Sequence, residues 1–195
     1  MVEVDETAAT DLTQVALPEG GEIATEHTAQ GAPHPYLMVK ARNGETPAVT
    51  RARLEAWARQ LTLPPGTRVV WEQQLQMDDE LFNDHYAGFR SYLVRGAPIV
   101  THANVIDASA QAYTSGTQSS AVSVSLDGPG SQAFAAATSR LKQNRIAVIV
   151  DGEVLCTPVV LDTISGGKFQ ITLATNDADK GRTEANTLAA RLRAL

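Results

Sequence analysis

The sequence has little with which to staple or anchor itself. Its 195 residues include a single cysteine, Cys156, which excludes an intramolecular disulfide and any cysteine-based metal site. Four histidines, His27, His34, His85 and His102, never fall at the close spacing of a zinc-binding helix. Aromatic side chains are only 5% of the chain. No apolar run approaches the ~20 residues of a membrane helix; the longest, Ile146 to Val150, spans five. The opening residues Met-Val-Glu-Val-Asp-Glu lack the basic and apolar regions of a signal peptide, so an extracytoplasmic protein would need a targeting segment from outside this sequence.

Positive charge is missing from the first thirty residues. They hold seven acids (Glu3, Asp5, Glu6, Asp11, Glu19, Glu22 and Glu26) and no Lys or Arg, whereas the remainder sets 15 acids against 16 bases. The net charge of −6 therefore belongs to the N-terminal segment. A nearly neutral body gives no reason to expect nucleic acid as a partner, because phosphate-backbone binding needs clustered Lys and Arg. Residues 1–33, acidic and without a sustained apolar period, read as a disordered leader.

What is present is patterned. Tyr36 to Ala41 reads as a strand, and Thr46 with Pro47 opens a helix whose Leu54, Trp57, Ala58 and Leu61 form one stripe. Pro64-Pro65-Gly66 ends it, Thr67 to Leu75 reads as a strand, and Met77 to Gly88 as a polar loop. These residues, 34–88, make a first small α+β unit. A second, 89–195, begins with a strand at Phe89 to Val94. Thr101 then precedes a helical stripe of Ala103, Ile106, Ala110 and Tyr113, and Thr114 to Ser120 reads as a loop. Val122, Val124 and Leu126 alternate with serines as a half-buried strand does. The turn Asp127 to Gly130 leads into a helix, Ser131 to Asn144, with Phe134, Ala137, Thr138 and Leu141 inward.

Two apolar runs, Ile146–Val150 and Glu153–Cys156, flank Asp151-Gly152, the strongest hairpin signal in the chain. Pro158 places the second strand at an edge or a bulge. Ser165-Gly166-Gly167 turns again before the alternating Phe169, Ile171 and Leu173, and a last helix carries Ala185, Leu188, Ala189 and Leu192. The expected fold class is α+β: two small layered units with largely antiparallel sheets and helices packed on one face.

No constellation points to catalysis. Asp78-Asp79-Glu80 with Asp84-His85 is a solvated run before it is a metal or acid–base site. Ser119, Ser120, Ser123 and Ser125 lie in no nucleophile-elbow motif, and Gly128-Pro129-Gly130-Ser131 lacks the lysine of a phosphate loop. His102 follows a cap and reads as a surface histidine. Cys156 has no basic neighbour in sequence to lower its pKa. The expectation is a protein that is not an enzyme and takes no cofactor.

Four segments carry a family resemblance: Phe134 to Thr138, Ile146 to Pro158, Ile164 to Thr172 and Glu184 to Leu192. In this order they resemble the head region of SecD's first periplasmic domain, with Tyr92-Leu-Val and Val105-Ile-Asp-Ala108 resembling its entry strand and the helix after it. Cys156-Thr157 departs from the family's usual Ser-Ala before Pro158, and His102 stands where glycine is common. The resemblance implies a non-enzymatic, extracytoplasmic (periplasmic) module. Its partners would be polypeptide, such as a preprotein, or a translocon or envelope protein. A stand-alone structural adaptor reusing the head fold is the alternative. Such a module needs a sheet edge or groove that accepts extended chain. The hairpin and its surroundings, Asp151, Gly152, Val154, Pro158, Gly166 and Gly167, are the candidate surface. Pro158 serves equally as a guard against edge aggregation.

Overall fold

The computed structural model describes residues 1–7, 11–28, 30–78, 83–112, 120–173 and 178–193. It divides into two compact units. One contains residues 2–97 and 143–159, the other Met1, 98–142 and 160–195. Sequence patterning divides the chain at 33/34 and 88/89; the observed units instead exchange segments, with residues 143–159 returning to the N-terminal unit.

In the first unit the strands are β1 (Val2–Val4), β2 (Gly21–His27), β3 (Pro33–Lys40), β4 (Thr67–Asp78), β5 (Asn83–Arg95), β8 (Ile146–Val150) and β9 (Glu153–Cys156), with one helix, α1 (Pro47–Ala58). Strand β1 pairs with both β5 and β8, β5 with β4, β4 with β9, and β9 with β8, so five strands return on themselves into a small ring. All these pairings are antiparallel except β4 with β9. Val2, Val4, Val70, Tyr92, Val94, Ala147 and Val154, drawn from all five strands, form one buried cluster. A second cluster packs α1, through Leu54 and Trp57, against Leu37, Val39, Trp71 and Phe89. The helix begins as expected with Pro47 at its first turn, and Thr46 occupies the cap position without a side-chain capping bond.

The described part of residues 1–33 is not a solvated leader. It supplies β1 and β2, and Val2 and Val4 are 1% and 2% exposed. A three-residue alternation is too short to register as a period. Strand β2, Gly-Glu-Ile-Ala-Thr-Glu-His, buries little and is held by its ladder to β3. Likewise the described residues of 77–88 are strand rather than loop: β4 continues to Asp78, and β5 starts at Asn83. Asp79 and Glu80 lie outside the described residues.

Gly88 shows why β5 needs a glycine. Its φ is +146°, and a Cβ there would stand 1.9 Å from the Val39 carbonyl oxygen of the neighbouring strand. Gly88→Ala must push β3 away from β5 and strain the backbone. Its expected cost is at least about 2 kcal/mol, read as a lower urea midpoint.

The second unit is built on β6 (Val105–Ala112), β7 (Ser120–Leu126), β10 (Lys168–Leu173), α2 (Gly128–Arg140) and α3 (Ala178–Arg193). The antiparallel sheet runs β10-β7-β6. Its register aligns Ala108 with Val124 and Phe169, and Ala110 with Val122 and Ile171. These residues form its apolar face. The other face is mostly polar, with Ser109, Ser123 and Gln170 in one row and Asp107, Ser125 and Lys168 in the next. Phe134 of α2 meets Phe169 at 5.2 Å between ring centroids, and Ala185, Leu188 and Ala189 of α3 are buried. Asp127 caps α2 by accepting from the Gly130 N–H at 2.6 Å, so the helix starts three residues before Ser131.

The helix expected after Thr101 is a strand. Only a short 3₁₀ turn, His102–Asn104, precedes β6. Alanine and serine fit either period. Here Ala108 and Ala110 pack on one face while Asp107, Ser109 and Gln111 take the other, and Ile106, at a bulge, is left 68% exposed. Of the loop expected over Thr114 to Ser120, Ser120 begins β7, and residues 113–119, Tyr113 included, lie outside the described residues.

Candidate functional site

The Asp151-Gly152 reversal forms as its sequence requires. Asp151 has φ +50° and Gly152 +79°, the two positive values of a two-residue hairpin turn. The ladder aligns Val150 with Glu153 and Ile149 with Val154, then shifts by a bulge before Val148 meets Cys156. Arg51 of α1 donates through Nη2 to the Gly152 carbonyl at 2.6 Å and through Nε to Glu55 at 3.1 Å, which ties the turn to the helix.

The six candidate surface residues are divided between the two units, and not all of them lie at the surface. Asp151, Gly152 and Pro158 are exposed, but Val154 is 2% exposed within the ring's core. Strand β9 is not an edge, since β8 and β4 flank it. Pro158 lies just beyond it, where its carbonyl accepts from the Ile146 N–H at 3.1 Å. Gly166 and Gly167 belong to the other unit. Gly166 is exposed, whereas Gly167 is buried beside Ser131 and accepts from the Leu126 N–H at 2.9 Å. Their turn introduces β10, whose partner is β7, so no hairpin joins β10 to β9.

Outer strands lie elsewhere, β2 among them in the larger sheet. Strands β6 and β10 are the outer strands of the three-stranded sheet, and no described strand pairs with the free side of either. Beside the β6 edge stands the exposed Ile106. An extended peptide could add there through backbone hydrogen bonds.

Sequence patterning did not single out the ion cluster of the first unit. Arg145 donates through Nε to Glu6 at 2.7 Å and through Nη2 to Glu26 at 2.6 Å, and Arg90 also pairs with Glu26. The Arg90 guanidinium lies 4.0 Å from the Tyr36 ring centroid and 4.6 Å from that of Tyr92. The one available signal was the charge asymmetry: any ion-pair partners of an acidic segment without Lys or Arg come from the body. Asp5 pairs with Arg95 at 2.6 Å and Glu19 with Arg42 at 2.5 Å in the same way.

This environment sets several pKa values. Burial alone would raise Glu26, but hydrogen bonds from Arg145 and Arg90 outweigh it and lower its pKa. Burial pushes the Tyr92 phenol up to about 12. Burial, helped by the charge of Glu72, pushes the Cys156 thiol up to about 11, which keeps it protonated and unreactive. His34, 6% exposed, has its pKa lowered from 6.5 by burial and then by Arg145, with Glu26 and Glu6 opposing and Arg90 adding to the shift. A histidine buried in its neutral form stabilises the fold above pH 6.5, and that contribution is lost as pH falls below 6.5 towards the folded-state value. Thermal midpoints of the unaltered protein are expected to fall more steeply below pH 6.5 than those of His34→Gln. Parallel profiles would exclude this role.

Among the described residues, no group of three His, Cys, Asp or Glu side chains could hold a metal ion. No helix among them is long and apolar enough to cross a membrane. The chain is an α+β protein. It belongs to the SecDF P1 head subdomain family, whose pattern matches residues 77–195. No curated protein matches the sequence. Similar solved structures include the following two. One, described as "Structure and function of a membrane component SecDF that enhances protein export", is 19% identical, with 98% of this chain and 91% of that chain covered and a TM-score of 0.44. The other, SecDF in the super-membrane-facing form, is also 19% identical with a TM-score of 0.44, covering 83% of this chain and 21% of that one.

Proposed function

We propose that the chain is a non-catalytic, extracytoplasmic module of protein export that engages extended polypeptide along the outer edge of β6. Membership of the SecDF P1 head family supports the role in export. The observation that carries the binding mode is the side of Val105–Ala112 with which no described strand pairs, in an outer strand inside the matched region, with Ile106 68% exposed beside it. Backbone ladders are indifferent to sequence, so an edge of this kind suits a partner as varied as an unfolded preprotein. The occupant contributes alternate side chains to the sheet's faces, and Ile106 offers apolar contact.

The test is amide hydrogen exchange with and without a permanently unfolded polypeptide, such as a reduced and carboxymethylated protein. Protection is expected at alternate amides of Val105–Ala112. Binding without protection there would overturn the β6 assignment. Absence of binding, with recovery only of folded envelope proteins, would favour an adaptor instead.

A further inference from the structure

The first unit contains a cleft of about 410 Å³ between α1, strand β4 and the Asp151-Gly152 hairpin. Ala58, Leu63, Val69 and Trp71 line it with apolar surface, and Gly152 and Ile149 close the hairpin side. Its volume lies in the range of sites that take small ligands or one or two side chains.

Charge at the cleft is not balanced. Glu55, Arg59 and Arg68 are its ionisable lining residues. Glu55 is engaged by Arg51, which also fastens the hairpin through Gly152. Arg59 and Arg68 are both exposed, and among the described residues neither guanidinium has a carboxylate partner. An apolar recess flanked by two unpaired guanidinium groups is complementary to an occupant that joins an apolar side chain to a carboxylate. Guanidinium suits this task because its planar fork can give a carboxylate two parallel hydrogen bonds.

From this we infer that the cleft is a second polypeptide-binding site, selective for segments in which an aliphatic side chain stands beside an Asp or Glu. The inference rests on the reading of the chain as a polypeptide-binding module, but it concerns another unit and another set of residues than the β6 edge. A recess of about 410 Å³ that opens to solvent holds one or two aliphatic side chains while the rest of a peptide runs outside it, whereas the long tail of an anionic lipid exceeds it. The site adds selectivity that a backbone ladder lacks: the edge takes any extended chain, whereas the cleft favours acidic–apolar segments.

Trp71 in the lining supplies a direct readout, and the other tryptophan, Trp57, lies 6.3 Å away between ring centroids. The experiment titrates the full chain, by intrinsic tryptophan fluorescence, with an acetylated and amidated Leu-Glu-Leu-Glu-Leu peptide. Two controls are Leu-Gln-Leu-Gln-Leu and Ser-Glu-Ser-Glu-Ser. The first peptide should bind, and each control should bind about tenfold or more weakly, the size expected for losing charge-assisted hydrogen bonds or the apolar anchor. Arg59→Gln with Arg68→Gln should reduce affinity for the acidic peptide by a similar factor and leave the neutral one unchanged. Equal binding of the Glu and Gln peptides would overturn the proposal, whether or not the double variant folds. So would binding of phosphatidylglycerol vesicles in place of the peptide. Failure of the acidic peptide alongside continued protection of β6 by unfolded polypeptide would reject the cleft and leave the edge reading standing.

Discussion

Arg145→Met is expected to destabilise the unit of residues 2–97 and 143–159 by about 3–5 kcal/mol, the cost of breaking a buried ion pair from one side. The Arg145 side chain is 11% exposed and that of Glu6 only 3%. Among the described residues, removing the guanidinium leaves Glu6 with no cation to offset its desolvation, and Glu26 keeps only Arg90. One oxygen of Glu6, Oε2, is already buried without a hydrogen-bond partner among the described residues, so this carboxylate has no second support. Methionine retains much of the apolar stem, which separates loss of charge from loss of packing. The measurement is urea unfolding of the single variant beside a triple variant, Glu6→Gln, Glu26→Gln and Arg145→Met. Neutralising the whole cluster removes the desolvation cost together with the attraction, and the triple variant should recover part of the lost stability. A single variant within about 0.5 kcal/mol of the unaltered protein would show the cluster to be a surface network of the weak kind.

The elements that were legible in the sequence are those fixed by local chemistry. Asp151-Gly152 had to turn because both positions take positive φ, and Pro47, Pro64-Pro65-Gly66 and Asp127 punctuate helices by their backbone constraints. The stripe of Phe134, Ala137, Thr138 and Leu141 is buried as its spacing implies. What was not legible depends on partners distant in the chain. Strand β6 is rich in Ala and Ser, whose small side chains satisfy both periods, and only pairing with β7 decides between them. Val154 reads as a surface candidate from its place beside a turn, yet closure of the ring puts it in the core. The sequence also marks no order of strands: nothing near Glu153–Cys156 announces a parallel partner in β4, about eighty residues earlier. The same limit applies to the site. Arg59 and Arg68 come to line one cleft with Ile149 and Gly152 of the hairpin only through the fold.

Deleting residues 1–33 is expected to abolish cooperative unfolding of the first unit, where removal of a solvated leader would change nothing. Three losses act together. Val2 and Val4 leave the ring's core and Leu12 leaves the cluster under α1; each fully buried aliphatic side chain contributes about 1.5–3 kcal/mol. Strand β1 joins β5 to β8, so its removal opens the ring and exposes an unpaired edge on β8. Arg145 loses both Glu6 and Glu26, and Arg95 loses Asp5. The aliphatic term alone reaches about 5–9 kcal/mol, comparable with the whole stability of an ordinary domain. Circular dichroism and a urea titration of the truncated chain should therefore show a broad, low-amplitude transition for this unit and a tendency to aggregate through the opened edge. The helices and sheet of residues 98–142 and 160–195 draw their core from Phe134, Val122, Val124, Ile171, Leu188 and Ala189, none of which lies in the deleted segment. Their signal should survive. A thermal midpoint within about 1 °C of the full chain's would mean that β1 and its ion pairs add nothing to the fold, contrary to the burial of Val2 and Val4.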